Sequence, residues 1–304
     1  MPFSPLSHSI AIGLLIWLGL ALRRAAPEAY LRWARRSIVA ALGAWIIASS
    51  VLAWEGQYLH RNADALLLVL GTAAPITLIV VLALVWSPVR TVLARFVEQT
   101  SLERLTAVHV VRVLALGTIA KWWIGALPGH FIVPVGLPDF AIGLTAIGMS
   151  RRIRRDPTGA RGVFVVWNVI GAGVFLLAQP LIQLTQPGPL HLVTDGPTTA
   201  EVLGFPMSIV PTFVAPLLLA LHVAALAKVH RERRGAGIGG PAVAGVRGPS
   251  TFGPWVHDPP PELRRVSPSP HAVLPGTAAL ESRNSTPGKS GQISFPRSGH
   301  DAAS

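Results

Sequence analysis

Between Leu6 and Lys228 the chain is written in long, almost uncharged apolar blocks separated by short polar connections rich in arginine. The blocks fall at about 6–22, 37–54, 64–86, 105–127, 135–150, 161–182 and 204–228. Most of them match the roughly 17–25 helical residues needed to cross a hydrocarbon core of about 30 Å. The pattern predicts an all-α, polytopic transmembrane helical bundle of about seven spans over residues 1–230.

The connections carry the sign of the topology. Arg23, Arg24, Arg32, Arg35 and Arg36 follow the first block, Arg90, Arg95 and Arg104 the third, Arg151, Arg152, Arg154, Arg155 and Arg161 the fifth, and Lys228, Arg231, Arg233 and Arg234 the seventh. The alternate connections hold Arg61 alone. By the positive-inside rule the N-terminus is outside and the C-terminus cytoplasmic. The first block has no Lys or Arg before it and no small-x-small cleavage site after it, so it reads as a retained span rather than a secretion signal.

Several blocks carry interruptions. Pro75 divides the third, Pro211 and Pro216 the seventh, and the stretch Leu127 to Pro138 leads into a short fifth span that is expected to begin with a broken or re-entrant segment. Thr100 and Glu103 fit a T-x-x-E capping box, so the fourth helix should start there and run to Leu127, long enough that it must tilt or protrude. Ahead of it, Val92, Leu93, Phe96 and Val97 form an apolar stripe beside Arg90, Arg95 and Glu98, which predicts a short helix lying on the inner surface. After Arg234 the apolar period stops, and Pro, Gly and Ser crowd residues 231–304, as in a disordered tail.

Composition agrees with the bilayer as solvent: 304 residues, 51% apolar and 13% charged, with a mean hydropathy of +0.51. A net charge of +12 invites a nucleic-acid reading. Its distribution, on one side of the spans and in the tail, removes that reading. Cysteine is absent, which excludes disulfides and thiolate chemistry.

In hydrocarbon the informative side chains are the polar ones, because a Lys, Arg or Asp at mid-span costs about 2.5–3.5 kcal/mol on insertion scales. Arg112, Lys121, Asp139, Asn168, Gln179 and His222 are the candidates. Side chains lean toward the helix N-terminus, so Arg112 and His109 are expected to snorkel to the cytoplasm. Lys121 leans back into the membrane and calls for a partner, with Asp139 the nearest acid in sequence. His222 also leans inward, below Pro211 and Pro216, each of which frees the carbonyl four residues earlier, at Met207 and Thr212. A helix–helix hydrogen bond is the ordinary role for such an imidazole; a proton relay, a substrate contact or haem ligation with His109 are the alternatives. No cofactor is assigned.

On the outer side, His60 and Asp64, and again His191 and Asp195, share a His-x3-Asp spacing, with Glu55, His130 and Glu201 on neighbouring loops. On helices that spacing would present metal ligands on one face, although the second copy lies among prolines and glycines. Solvated loops are the plainer reading. The chain has no phosphate-binding loop, nucleophile elbow, HExxH or dinucleotide fingerprint. Pro259-Pro260-Pro261 ahead of Glu262 to Arg265 could serve a protein partner as a polyproline II ligand; a plain solvated tail is the other reading.

Residues 107 to 229 carry Leu127-Pro128-Gly129-His130-Phe131-Ile132-Val133-Pro134-Val135-Gly136, then Asp139 and Gly143-Leu144-Thr145-Ala146, Trp167-Asn168 with Gly171, and Gln186-Pro187-Gly188-Pro189-Leu190, closing on Ile209 to Phe213, Pro216 and Leu221-His222. In these patterns the chain resembles an uncharacterised family of bacterial multi-spanning membrane proteins. The resemblance implies a helical bundle integral to the bacterial cytoplasmic membrane, and brings no activity. Three classes of function follow from the residues. A transport-like or permease-like component would use Arg112, Lys121, Asp139, Asn168 and His222 as a buried polar path, and it is preferred. A structural or sensory protein would work through its tail, and a membrane-embedded enzyme through an outward-facing metal site.

Overall fold

The computed structural model describes residues 4–59, 65–188 and 190–238, and no strand occurs among them. Among the described residues seven helices are long and apolar enough to cross a membrane, as in a multi-pass membrane protein. In chain order the helices are α1 (Ser4–Ala25), α2 (Arg32–Trp54), α3 (Ala65–Val85), α4 (Ser87–Gln99), α5 (Leu102–Trp123), α6 (Gly129–Arg155), α7 (Arg161–Thr185) and α8 (Val210–Arg234, its last turns reaching Ile238). All but α4 are crossing helices. Large apolar side chains such as Ile12, Ile47, Leu84 and Leu176 stay exposed on their outer faces, as a lipid-facing surface requires.

The helix ends have local causes. α5 stops at Trp123, short of the expected Leu127, because Gly125 adopts a left-handed backbone (φ 75°). Its amide bonds the Trp122 carbonyl at 2.9 Å and the Ala126 amide bonds that of Lys121 at 2.8 Å, a Schellman stop. The N-cap of α5 is Ser101, whose hydroxyl accepts from the Arg104 amide at 3.3 Å. The expected capping box on Thr100 and Glu103 therefore does not form, and a simple serine cap one residue later takes its place. Thr100 instead closes α4, giving its own amide to Phe96 at 3.0 Å.

Three crossing helices change pitch within the bilayer. α5 tightens to 3-10 geometry over Val108–Ala115, longer than the usual 3–4 residues of such a stretch. α6 widens to a π-helix over Ile132–Gly136, around Pro134, and then continues to Arg155, so the interrupted fifth span is one through-going helix. α8 does the same over Val210–Val214, around Pro211.

α8 is the centre of the bundle: 56% of its most apolar window is buried, against 22–39% for the others, and it packs on α1, α2, α3, α4, α5 and α7. One core cluster runs through the molecule and includes Leu14, Ile38, Phe96, Phe164 and Phe213. A second, around Tyr58, Phe131, Ile182 and Leu203, fills the end away from the arginines. The amphipathic α4 starts with Pro88 in its first turn and turns Val89, Val92 and Phe96 into the core. Glu28 pairs with Arg95, Arg231 with Glu98 at 3.2 Å, and Lys228 donates to the carbonyls of Val97 and Glu98. These contacts pin α4 between the α1–α2 turn and the end of α8.

Candidate functional site

The 3-10 stretch of α5 builds the site. With three residues per turn, positions three apart line up along one side, and His109 and Arg112 are the two buried residues of the segment. Neither snorkels, contrary to expectation: His109 is 1% and Arg112 3% exposed. The neighbouring helix lies too close to let them out. A Cβ on Gly143 of α6 would overlap the Val113 amide nitrogen and the Arg112 carbonyl carbon, so α5 and α6 meet there backbone to backbone. Asp139, one turn before Gly143, is thereby brought against the guanidinium.

Arg112 Nε donates to Asp139 Oδ1 at 2.6 Å. Its Nη1 lies 3.2 Å from the Gly171 carbonyl of α7 and 2.9 Å from Nε2 of His222 on α8. The guanidinium stacks over the Phe175 ring, 4.2 Å from its centroid. His222 Nδ1 in turn lies 2.9 Å from Asn168 Oδ1, and Asn168 Nδ2 donates to the Phe164 carbonyl at 2.9 Å. Because a guanidinium only donates, Nε2 of His222 must accept, which leaves the proton on Nδ1 to be given to Asn168. The ring is held as one neutral tautomer.

His109 completes the cluster without a polar partner. Its ring stacks on His222 at 3.9 Å and 22°, and meets Trp167 edge-on at 5.6 Å. Trp167 is fixed by its indole N–H, which donates to Thr145 Oγ1 at 2.9 Å. Both ring nitrogens of His109 and Nη2 of Arg112 are buried with no hydrogen-bond partner. Gly171 keeps the space narrow, since a Cβ there would overlap the His222 ring. Asp139 is the opening: its side chain is 21% exposed, against 1% for Arg112.

The expected Lys121–Asp139 pair does not form. Lys121 sits in the last turn of α5, near the surface, and pairs with Glu201 in the short helix Ala200–Leu203. Asp139 takes Arg112 instead. A signal for this was present: Arg112 precedes and Asp139 follows the Gly125–Ala126 turn by nearly the same number of residues, which puts them at one depth in consecutive antiparallel helices. Of the outer metal candidates, His60 and Asp64 lie outside the described residues. Among the described residues no group of three or more His, Asp or Glu could hold a metal ion, so His130, His191 and Asp195 are not gathered into a site. His109 and His222 stack face to face, a geometry that leaves no room for a haem between them.

A second polar group joins α2 to α8. The Thr212 carbonyl, freed by Pro216, accepts from the Trp45 indole N–H at 2.9 Å, and the Thr212 hydroxyl lies 2.6 Å from that of Ser49. Ser49 also meets the Tyr58 hydroxyl at 3.2 Å. The Met207 carbonyl, freed by Pro211, is taken by the Val210 amide at 2.9 Å.

With the geometry in place, the chain is assigned by comparison. It belongs to a family described as a domain of unknown function (DUF8737), whose model matches residues 65–230. The match takes in α3 to α7, most of α8 and every residue of the buried network. No curated protein and no solved structure matches the chain.

Proposed function

We propose that this family member is a transport-like component of the bacterial cytoplasmic membrane, N-terminus outside and C-terminal tail inside, whose Arg112–Asp139–His222–Asn168 network couples proton exchange at Asp139 to helix movement. The orientation rests on the arginine distribution, and the bacterial setting on the resemblance of residues 107–229. One observation carries the transport reading: a guanidinium 3% exposed at mid-span, opposed by a carboxylate whose side chain is 21% exposed at the bundle surface, while Asn168 and His222 are buried. An intramembrane ionisable residue is expensive and is a functional candidate by default. A pair serving only as glue is replaceable by apolar packing with little loss.

The coupling follows from charge. With Asp139 ionised, the pair is neutral overall and α5 is held on α6. A proton on Asp139 removes the counter-charge and leaves Arg112 with the Gly171 carbonyl and His222, both on other helices. α5, α6 and α8 change pitch within their spans, and such segments are where helices yield. The test is reconstitution in liposomes loaded with a pH-sensitive dye, with a potassium diffusion potential to drive protons. Wild-type protein should acidify the lumen faster than Asp139→Asn or Arg112→Met. Wild-type flux at the level of empty liposomes would remove the reading.

The close packing around His222, which is 0% exposed, favours a second reading, a structural or sensory bundle in which the network fixes helix register. In that case Arg112→Met combined with Asp139→Leu would keep both fold and cellular role.

A further inference from the structure

Away from the network, an apolar groove of about 420 Å³ runs between α1 and α5. Gly13, Leu14 and Trp17 form one wall, Val108 and Val111 the other, and Arg104 stands at its end. Gly13 keeps it open, since no atom lies within 4 Å of where its Cβ would be. Trp17 is half-buried and held edge-on against Phe96, 6.5 Å between centroids. Arg104 is exposed, and no ion pair or side-chain hydrogen bond engages its guanidinium among the described residues. Its neighbour Glu103 is already committed to Arg154 at 3.4 Å.

Depth decides what fits. Arg104 is in the first turn of α5, at the membrane surface, while Val108 and Val111 lead toward the middle of the bilayer. An unpaired guanidinium at headgroup depth above an apolar slot matches one kind of molecule, a lipid with a negative head and an acyl chain. A guanidinium takes phosphate oxygens in a planar fork, and attraction to anionic headgroups is worth a few-fold in occupancy per basic residue near the surface.

We propose that this groove binds one anionic phospholipid, its phosphate on Arg104 and an acyl chain along Gly13, Trp17 and Val111. The site is independent of the transport reading. One wall of the groove belongs to the 3-10 segment whose buried side carries His109 and Arg112, so an occupied groove supports that segment from the lipid side.

The test uses the full chain in phosphatidylcholine vesicles containing either brominated phosphatidylglycerol or brominated phosphatidylcholine, with Trp17 fluorescence taken as the difference between wild type and Trp17→Phe. Half-quenching should need about five-fold less of the anionic lipid than of the zwitterionic one, the ratio expected from a single basic residue. Arg104→Gln should bring the ratio to about one, with helicity and melting unchanged because the side chain is exposed. Gly13→Leu should protect Trp17 from both lipids. Equal quenching by the two lipids in wild type would overturn the proposal in favour of unselective bulk lipid. So would a Trp17 that neither lipid quenches, which would mean that a second copy or another segment covers the groove.

Discussion

Removing one member of the Arg112–Asp139 pair should be worse than removing both. Arg112→Met keeps an apolar stem but removes the guanidinium over Phe175 and the donor to the Gly171 carbonyl and His222, and it leaves Asp139 without its counter-charge. Breaking a buried pair in this way costs about 3–5 kcal/mol, and the 21% exposure of Asp139 puts this case at the lower end. Asp139→Asn strands the better-buried partner, whose side chain is 1% exposed, so it should cost at least as much as Arg112→Met. With both replaced, no charge is left in this cluster, and the double variant should lie within about 1 kcal/mol of wild type, as apolar replacements of buried pairs often do. The assay is equilibrium unfolding in detergent for the four proteins, read as a double-mutant cycle. Effects that add to within about 0.5 kcal/mol would show that the two side chains do not interact and would refute the reasoning.

Glycine scanning should separate close contacts from open surface. Gly171→Ala and Gly143→Ala should each lose about 1–3 kcal/mol by overpacking, Gly143 the more because it meets backbone, while Gly148→Ala and Gly173→Ala, with nothing within 4 Å, should be neutral or slightly stabilising in the same thermal assay. Glu28 titrates below its ordinary 4.5, mainly through a hydrogen bond from its own backbone amide and then through Arg95, with burial opposing. A depressed carboxylate contributes stability that is present above its unfolded value and lost as pH falls through the folded one. The stability gap between wild type and Glu28→Gln should therefore be open at neutral pH and close as the pH falls below the ordinary carboxylate value and through the lowered folded one in a melting series. A reporter active only in the cytoplasm should work when fused after Arg234 and stay silent within residues 190–201; the opposite pattern reverses the orientation.

What the sequence disclosed was whatever depends on long-range averages of polarity. Seven apolar blocks became seven crossing helices, and the amphipathic stripe from Val92 to Val97 became the inward face of α4. Prolines marked the places where α6 and α8 depart from regular geometry and the carbonyls freed at Met207 and Thr212, but the broken or re-entrant start expected of the fifth span is a π stretch within a continuous helix. The site was legible only as a set of residues. The lean of side chains on a regular α-helix sent Arg112 to the surface and Lys121 inward, but no proline or glycine within Val108–Ala115 marks the 3-10 stretch. The burial of Arg112 also depends on how closely α6 approaches at Gly143, a tertiary fact. Lys121 found Glu201, far along the chain, because the loop after α7 folds back over the end of α5.

The indole of Trp45 and the carbonyl of Thr212 are separated by 167 residues, which gives the bundle a history as well as a shape. A nascent chain is made from its N-terminus, so α2 reaches the bilayer well before α8 exists. Through that interval the Trp45 N–H has no acceptor from its native partner, and a polar group left unbonded in hydrocarbon is costly. The first two helices therefore wait as an unfinished seam. The last helix then inserts among helices already in place, and a chain that ends before residue 210 lacks the acceptor that would close it.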